Sequence, residues 1–115
     1  MKDPREESWQ RLLHIKKAIA TIEKYVEGEN CNTFCNKSLL HDAVMLQFVI
    51  IGEAIVNVEV ELLNKYDYPW YKVRSFRNMI AHEYFNIKLP AVWKIIEVDL
   101  TELEEMVKLI LNTEF

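Results

Sequence analysis

Arg77, Asn78, His82 and Tyr84 stand in one run, Arg77-Asn78-Met79-Ile80-Ala81-His82-Glu83-Tyr84, with Arg74 just upstream. These residue types suit chemistry on a phosphodiester. Histidine titrates near neutrality and can give or take a proton. Arginine stays charged and can hold a phosphate through two hydrogen bonds, stabilising charge that develops in the transition state. In RNA the neighbouring 2′-hydroxyl can be the nucleophile, so such a pair requires neither an enzyme nucleophile nor a metal. The spacing sets a condition. His82 stands five positions after Arg77, which places them about 140° apart around an ideal helix. They converge only if the helix ends or loosens before His82, or if facing copies from two protomers assemble one cleft. Spacing alone favours a plainer reading, a helix-end histidine with solvated neighbours.

The elements that must carry this run are helical. The chain has 115 residues, half of them hydrophobic, with 5 Phe, 5 Tyr and 3 Trp, enough to fill one core. Only 2 Gly and 3 Pro are present, too few turn formers for a β-sandwich or barrel of this length. Gly28 and Gly52 are isolated, which excludes a glycine-rich phosphate loop. Periodicity predicts four main helices. The first covers about Ser8 to Val26, with Leu12, Ile15, Ile19, Ile22 and Val26 on one stripe, and Gly28 stops it. Glu29 to Lys37, with three Asn and two Cys, reads as a loop. The second helix covers about Ser38 to Asn64. One stripe holds Leu40, Val44, Ile51, Ile55, Val58 and Leu62; another holds Leu39, Ala43, Leu46 and Ile50, and Phe48 and Val49 widen the cover. A helix apolar on two sides is central to a bundle or covered by a partner chain, so dimerisation is expected. Pro69 opens a short third helix, about Trp70 to Ala81, with Val73, Phe76 and Ile80 inward. Leu89-Pro90 opens the fourth, to about Leu111, with Val92, Ile96, Leu103, Val107 and Ile110 as its stripe. The expectation is all-α: an antiparallel up-down four-helix bundle whose short third helix bears the motif, one domain over residues 1–115.

Charge and thiols narrow the function. The net charge of −4 argues against coating nucleic acid by bulk electrostatics. From Tyr66 to Lys94, however, five bases face two acids, a local +3 that leaves −7 on the remainder. A basic segment on an acidic body suits a confined anionic ligand. The charged start, with no apolar core behind it, reads as no signal peptide. The most apolar stretch, Ala43 to Val58, is interrupted by Gln47, Gly52, Glu53 and Asn57, so no membrane span is expected. Cys31 and Cys35 then read as cytoplasmic thiols. With His41 they supply at most three nearby ligands, so neither a metal nor another cofactor is expected.

At this point the sequence resembles a known family. Arg77, four residues, His82, one residue, Tyr84 is the pattern of HEPN-domain proteins of the HepT type, the toxins of HepT/MntA toxin–antitoxin pairs. The resemblance extends through Asp42-Ala43-Val44, Ile51-Gly52-Glu53-Ala54, Pro69-Trp70, Phe85 and Val92-Trp93. It implies a helical homodimer with the two motifs facing across a cleft, and a metal-independent ribonuclease acting on RNA. It implies Arg77 and His82 as the catalytic pair, with Asn78 shaping the site. It implies Tyr84 as the position that an MntA-like minimal nucleotidyltransferase modifies with AMP to silence the toxin; the other role open to Tyr84 is contact with the phosphate. A bulky anion beside Arg77 and His82 would block the cleft and compete for its charge. The alternative is a non-catalytic subunit that binds a nucleotidyltransferase or a nucleotide; a third is a bundle with only a structural role.

The remaining conspicuous residues have two readings each. Glu53, in an apolar helix, can pair with Arg74 or Arg77 and orient it, approach its own copy across a dimer axis, or lie where the helix leaves the core. Gly52 reads as a point of close helix approach. His14 and His41 read as surface or helix-start residues, and Trp9, Trp70 and Trp93 as core or interface fillers. Tyr66, Tyr68 and Tyr71 could stack on a base, but packing is preferred for them.

Overall fold

The computed structural model describes residues 3–115 and is helical throughout its regular elements, with no strand among the described residues. Helix α1 spans Pro4–Tyr25. Asp3 caps it, its carboxylate accepting from the Arg5 N–H at 3.0 Å, and Pro4 supplies a fixed φ in the first turn. The start is therefore four residues earlier than periodicity suggests. Leu12, Ile15, Ile19 and Ile22 are all buried, as the stripe requires. Gly28 takes the left-handed conformation, φ 78°, just after the helix.

The predicted loop contains a helix, α2, Cys31–Asn36. Asn30 and Thr33 cap each other reciprocally: the Thr33 N–H donates to Asn30 Oδ1, and the Asn30 N–H to Thr33 Oγ1, both at 2.9 Å. This short element is held by Phe34, which is fully buried with its ring 5.3 Å from that of Trp93.

Helix α3, Ser38–Ile55, lies between α1 and α5. Val44, Phe48, Ile51 and Ile55 enter the core. The other expected stripe does not: Leu39 is 90% exposed, and Leu46 and Ile50 are also open to solvent. The predicted helix to Asn64 is broken in two. The Asn57 and Val58 N–H groups bond to carbonyls three residues back, Ala54 and Ile55. Asn57 Nδ2 takes up the Glu53 carbonyl at 3.0 Å, and the Glu59 N–H turns away to the buried Ser8 hydroxyl at 3.0 Å. This turn swings Val58 inward and restarts the chain as α4, Val60–Leu63.

Helix α5, Trp70–Glu83, is anchored by the Trp70 Nε1–H, which donates to the Leu63 carbonyl at 3.0 Å. Val73, Phe76 and Ile80 face inward as expected. The helix runs two residues beyond the predicted Ala81 and passes into a 3₁₀ turn, Tyr84–Asn86. The last predicted helix is one path with a defect. Helix α6, Leu89–Lys94, continues through a π turn, Ile95–Asp99, into α7, Leu100–Glu114. Within the turn the Leu100 N–H donates to the Ile95 carbonyl, five residues back. The extra residue shifts the apolar phase, so Leu100 joins Leu103, Val107 and Ile110 in the core. Helix α7 packs on α1, and α2 bridges α3 and α6.

Helix α3 is also the one described helix long and apolar enough to meet a membrane-span criterion, at 18 residues and mean hydropathy 1.5. Its position between α1 and α5 accounts for its inner side; its outer side is uncovered.

Candidate active site

The site is built on the line where α3 meets α5. Gly52 is buried there, and a Cβ added to it would lie 2.7 Å from the Arg77 backbone nitrogen and 3.0 Å from Arg77 Cβ. Only glycine lets the two backbones come this close. The close approach expected of Gly52 is thus with the motif helix itself. The next residue, Glu53, pairs through Oε1 with Arg77 Nε, and both side chains are about half exposed. Of the two arginines open to Glu53, the structure brings up Arg77. Arg74 is half-buried on α5 and forms no ion pair among the described residues.

Asn78 and His82 are exposed on α5. Because the helix continues to Glu83, it does not loosen before His82. Arg77 and His82 therefore stay about 140° apart around the axis, one of the two routes to convergence being closed within a single chain.

Tyr84 opens the 3₁₀ turn and donates its hydroxyl hydrogen to Asp42 Oδ1, across 42 positions of sequence. That hydrogen bond is the main cause holding the Tyr84 phenol above its ordinary pKa, with desolvation and the Asp42 charge acting in the same direction. The Phe85 ring stands edge-on to Tyr84 at 5.2 Å and is 96% exposed. His41 Nδ1 lies 3.3 Å from the same Asp42 oxygen, without the alignment of a hydrogen bond, and is buried with no other partner among the described residues. The ring is half-buried and edge-on to Phe34 in the first turn of α3, which is the helix-start position and not the surface one of the two the sequence suggests.

Asp42 is the site residue that sequence reasoning missed as chemistry. It appears there only within the run Asp42-Ala43-Val44. The available signal was an acid on the outer side of an apolar helix, eleven residues and three turns before Glu53. Together Asp42 and Glu53 place two carboxylates along α3, one on Tyr84 and one on Arg77.

The other aromatic residues divide. Trp70 and Trp93 are buried, while Trp9 is 41% exposed. Tyr66 donates to Glu114 at 2.8 Å, and the Tyr68 ring lies 4.9 Å from that of Trp70; only Tyr71, of the three, stands free of the core. Tyr68 lines an apolar cleft with Phe76, Met79 and Leu103, to which none of Arg77, Asn78, His82 and Tyr84 contributes. Burial, with Glu102 and Asp99 nearby, pushes Tyr68 up to about 12. Cys31 and Cys35 are free thiols, and no three His, Cys, Asp or Glu side chains converge as metal ligands among the described residues.

Comparison with known proteins gives a consistent result. The family model described as Ribonuclease HepT-like matches residues 15–110. A Methanocaldococcus jannaschii protein, named as a gamma-glutamylcyclotransferase and provisionally as an RNase, is 34% identical over 95 residues, 82% of this chain and 43% of that one. The chain thus spans less than half the length of that relative. A Caldanaerobacter subterraneus protein, named provisionally as an RNase, is 32% identical over 115 residues, 99% of each chain. A Thermococcus cleftensis protein, provisionally named ribonuclease HepT, is 29% identical over 91 residues, 78% of this chain and 83% of that one. No solved structure matches the chain.

Proposed function

Because the chain belongs to the HepT-like ribonuclease family, we propose that it is a metal-independent endoribonuclease, the toxin of a toxin–antitoxin pair. Arg77 holds and neutralises the phosphate, and His82 moves protons at the scissile bond. Asn78 shapes the site, Glu53 orients Arg77, and Arg74 adds to the local positive charge. The single observation that carries this reading is the motif helix itself. Gly52 and Glu53 fix Arg77 against α3, while Arg77, Asn78, His82 and Tyr84 all remain open to solvent.

The reading includes a homodimer. An α5 that stays helical through His82 supports a cleft shared between two copies. The open stripe of Leu39, Leu46 and Ile50 beside the site supports α3 as the surface that joins them. In this reading residues 1–115 form one HEPN-like four-helix bundle, with its helices antiparallel and α2 and α4 as additions, acting in the cytoplasm. Tyr84 is where an MntA-like minimal nucleotidyltransferase attaches AMP and silences the enzyme. The second reading, a non-catalytic partner of that transferase, draws on one observation: in the single chain the Arg77 charge is already met by Glu53.

RNA cleavage in EDTA by unmodified protein, beside folded His82→Ala at equal concentration, separates the two. Cleavage by the first alone establishes the ribonuclease. Equal cleavage by both places the activity elsewhere, and no cleavage by either, on structured and single-stranded RNAs, favours the non-catalytic subunit.

A further inference from the structure

We propose that Asp42 is the base that takes the phenolic proton when Tyr84 attacks phosphorus. The inference rests on the reading of Tyr84 as the modified residue, and it assigns the toxin chain a chemical part in its own silencing.

The argument starts from the phenol. A neutral phenol is a weak nucleophile, and the bond to Asp42 keeps Tyr84 protonated to higher pH than an ordinary tyrosine. It therefore needs a base at the moment of attack. The geometry supplies one, since the hydroxyl hydrogen already points at Asp42 Oδ1. A carboxylate that accepts the hydrogen of an attacking hydroxyl is the arrangement by which aspartate serves in phosphoryl transfer. His41 Nδ1, 3.3 Å from the same oxygen and otherwise unpartnered among the described residues, lies beside the proton's destination.

Access distinguishes Tyr84 from the other tyrosines. Tyr66 also donates to a carboxylate, Glu114, but is half-buried where α7 ends. Tyr25 and Tyr71 are exposed, yet neither hydroxyl donates to a carboxylate among the described residues. Tyr84 alone among the described tyrosines combines an exposed ring with a carboxylate on its hydroxyl. The 3₁₀ turn presents it beyond the end of α5, where a second protein can reach it.

The step balances simply. Tyr84 Oη attacks the α-phosphorus of a nucleoside triphosphate held by the partner enzyme. The Oη–P bond forms, the bond from that phosphorus to the bridging oxygen breaks, and pyrophosphate leaves. The phenolic proton passes to Asp42 Oδ1.

The test uses a small phosphorus electrophile, so that it does not depend on the partner. Diisopropyl fluorophosphate forms the same Oη–P bond while fluoride leaves. The full chain, Asp42→Asn and Asp42→Ser are treated at neutral pH, and labelling at each tyrosine is followed by peptide mass spectrometry. Tyr71 and Tyr25 serve as internal references, and their unchanged rates, with unchanged helical circular dichroism, certify the fold of each variant. Tyr84 is expected to label about a hundredfold faster than Tyr71 in the wild type, and to fall to the Tyr71 rate in both variants. Equal Tyr84 labelling with and without the Asp42 carboxylate overturns the proposal. So does a wild-type Tyr84 no more reactive than Tyr71. A primed Tyr84 that the nucleotidyltransferase never modifies would sink the silencing reading while leaving the role of Asp42 intact.

Discussion

Arg77 meets Glu53 through Nε, and a guanidinium carries two terminal nitrogens besides that can fork onto a phosphate. In the proposed function Glu53 is an orienting partner. With both side chains half exposed, the pair adds at most about 1 kcal/mol to stability. Glu53→Gln should therefore melt within about 1 kcal/mol of the wild type, while its kcat/KM for RNA falls by about tenfold through a misplaced Arg77. Initial rates on one RNA beside a urea titration check both halves of this prediction. The motif run Arg77, Asn78, His82 and Tyr84 could be picked out in sequence by residue type, but spacing alone favoured a plain helix end, and only the family resemblance gave each residue a role. Their partners were less legible. For Glu53 the sequence left open a pair with Arg74 or Arg77, its own copy across a dimer axis, or a partly exposed place at the edge of the core; the structure gives it Arg77 at a half-exposed position. Asp42 could not be joined to Tyr84, because nothing local links positions 42 residues apart.

At the scale of elements the site depends on how closely α3 and α5 lie. Gly52→Ala would push a methyl group into the Arg77 backbone, which cannot rotate away as a side-chain tip can. A destabilisation of about 1–3 kcal/mol is expected, together with loss of RNA cleavage even where the variant remains folded. Gly28→Ala is the control. There is open space around Gly28, so only its left-handed backbone resists, at a cost of about 1 kcal/mol, and cleavage should persist. Urea denaturation and cleavage rates of the two variants distinguish a packing effect on the site from a general loss of stability. Helix stripes were readable where periodicity and burial coincide, as at Leu12, Ile15, Ile19 and Ile22. The break after Ile55 was not. No proline or glycine marks it, and its cause is a serine 51 residues upstream that takes the Glu59 amide. Helix α2 was hidden for another reason: Asn and Thr serve loops and caps alike, and only the burial of Phe34 decides between them.

Over the whole molecule the outer side of α3 is the feature left unresolved by the fold of one chain. A helix with Val44, Phe48, Ile51 and Ile55 inside and Leu39, Leu46 and Ile50 outside has more apolar surface than its neighbours cover. If this face is the seam of the proposed dimer, Leu46→Glu should leave the helical content unchanged, give a monomer where the wild type sediments as a dimer, and abolish RNA cleavage. A monomer that still cleaves would refute the shared cleft. Sequence periodicity exposed the surplus of apolar positions but not which stripe would face in, because both have helical spacing. The bond between Ser8 and Glu59 also acts at this scale, since it ties the first turns of α1 to the turn after α3. An amide in a surface turn ordinarily exchanges its proton with water in moments, yet the Glu59 proton is fastened to a hydroxyl buried under α1. In deuterium oxide it should therefore keep time with the fraying of α1 and ignore the breathing of α3, so that one slow signal in the middle of the chain reports how firmly its beginning is held.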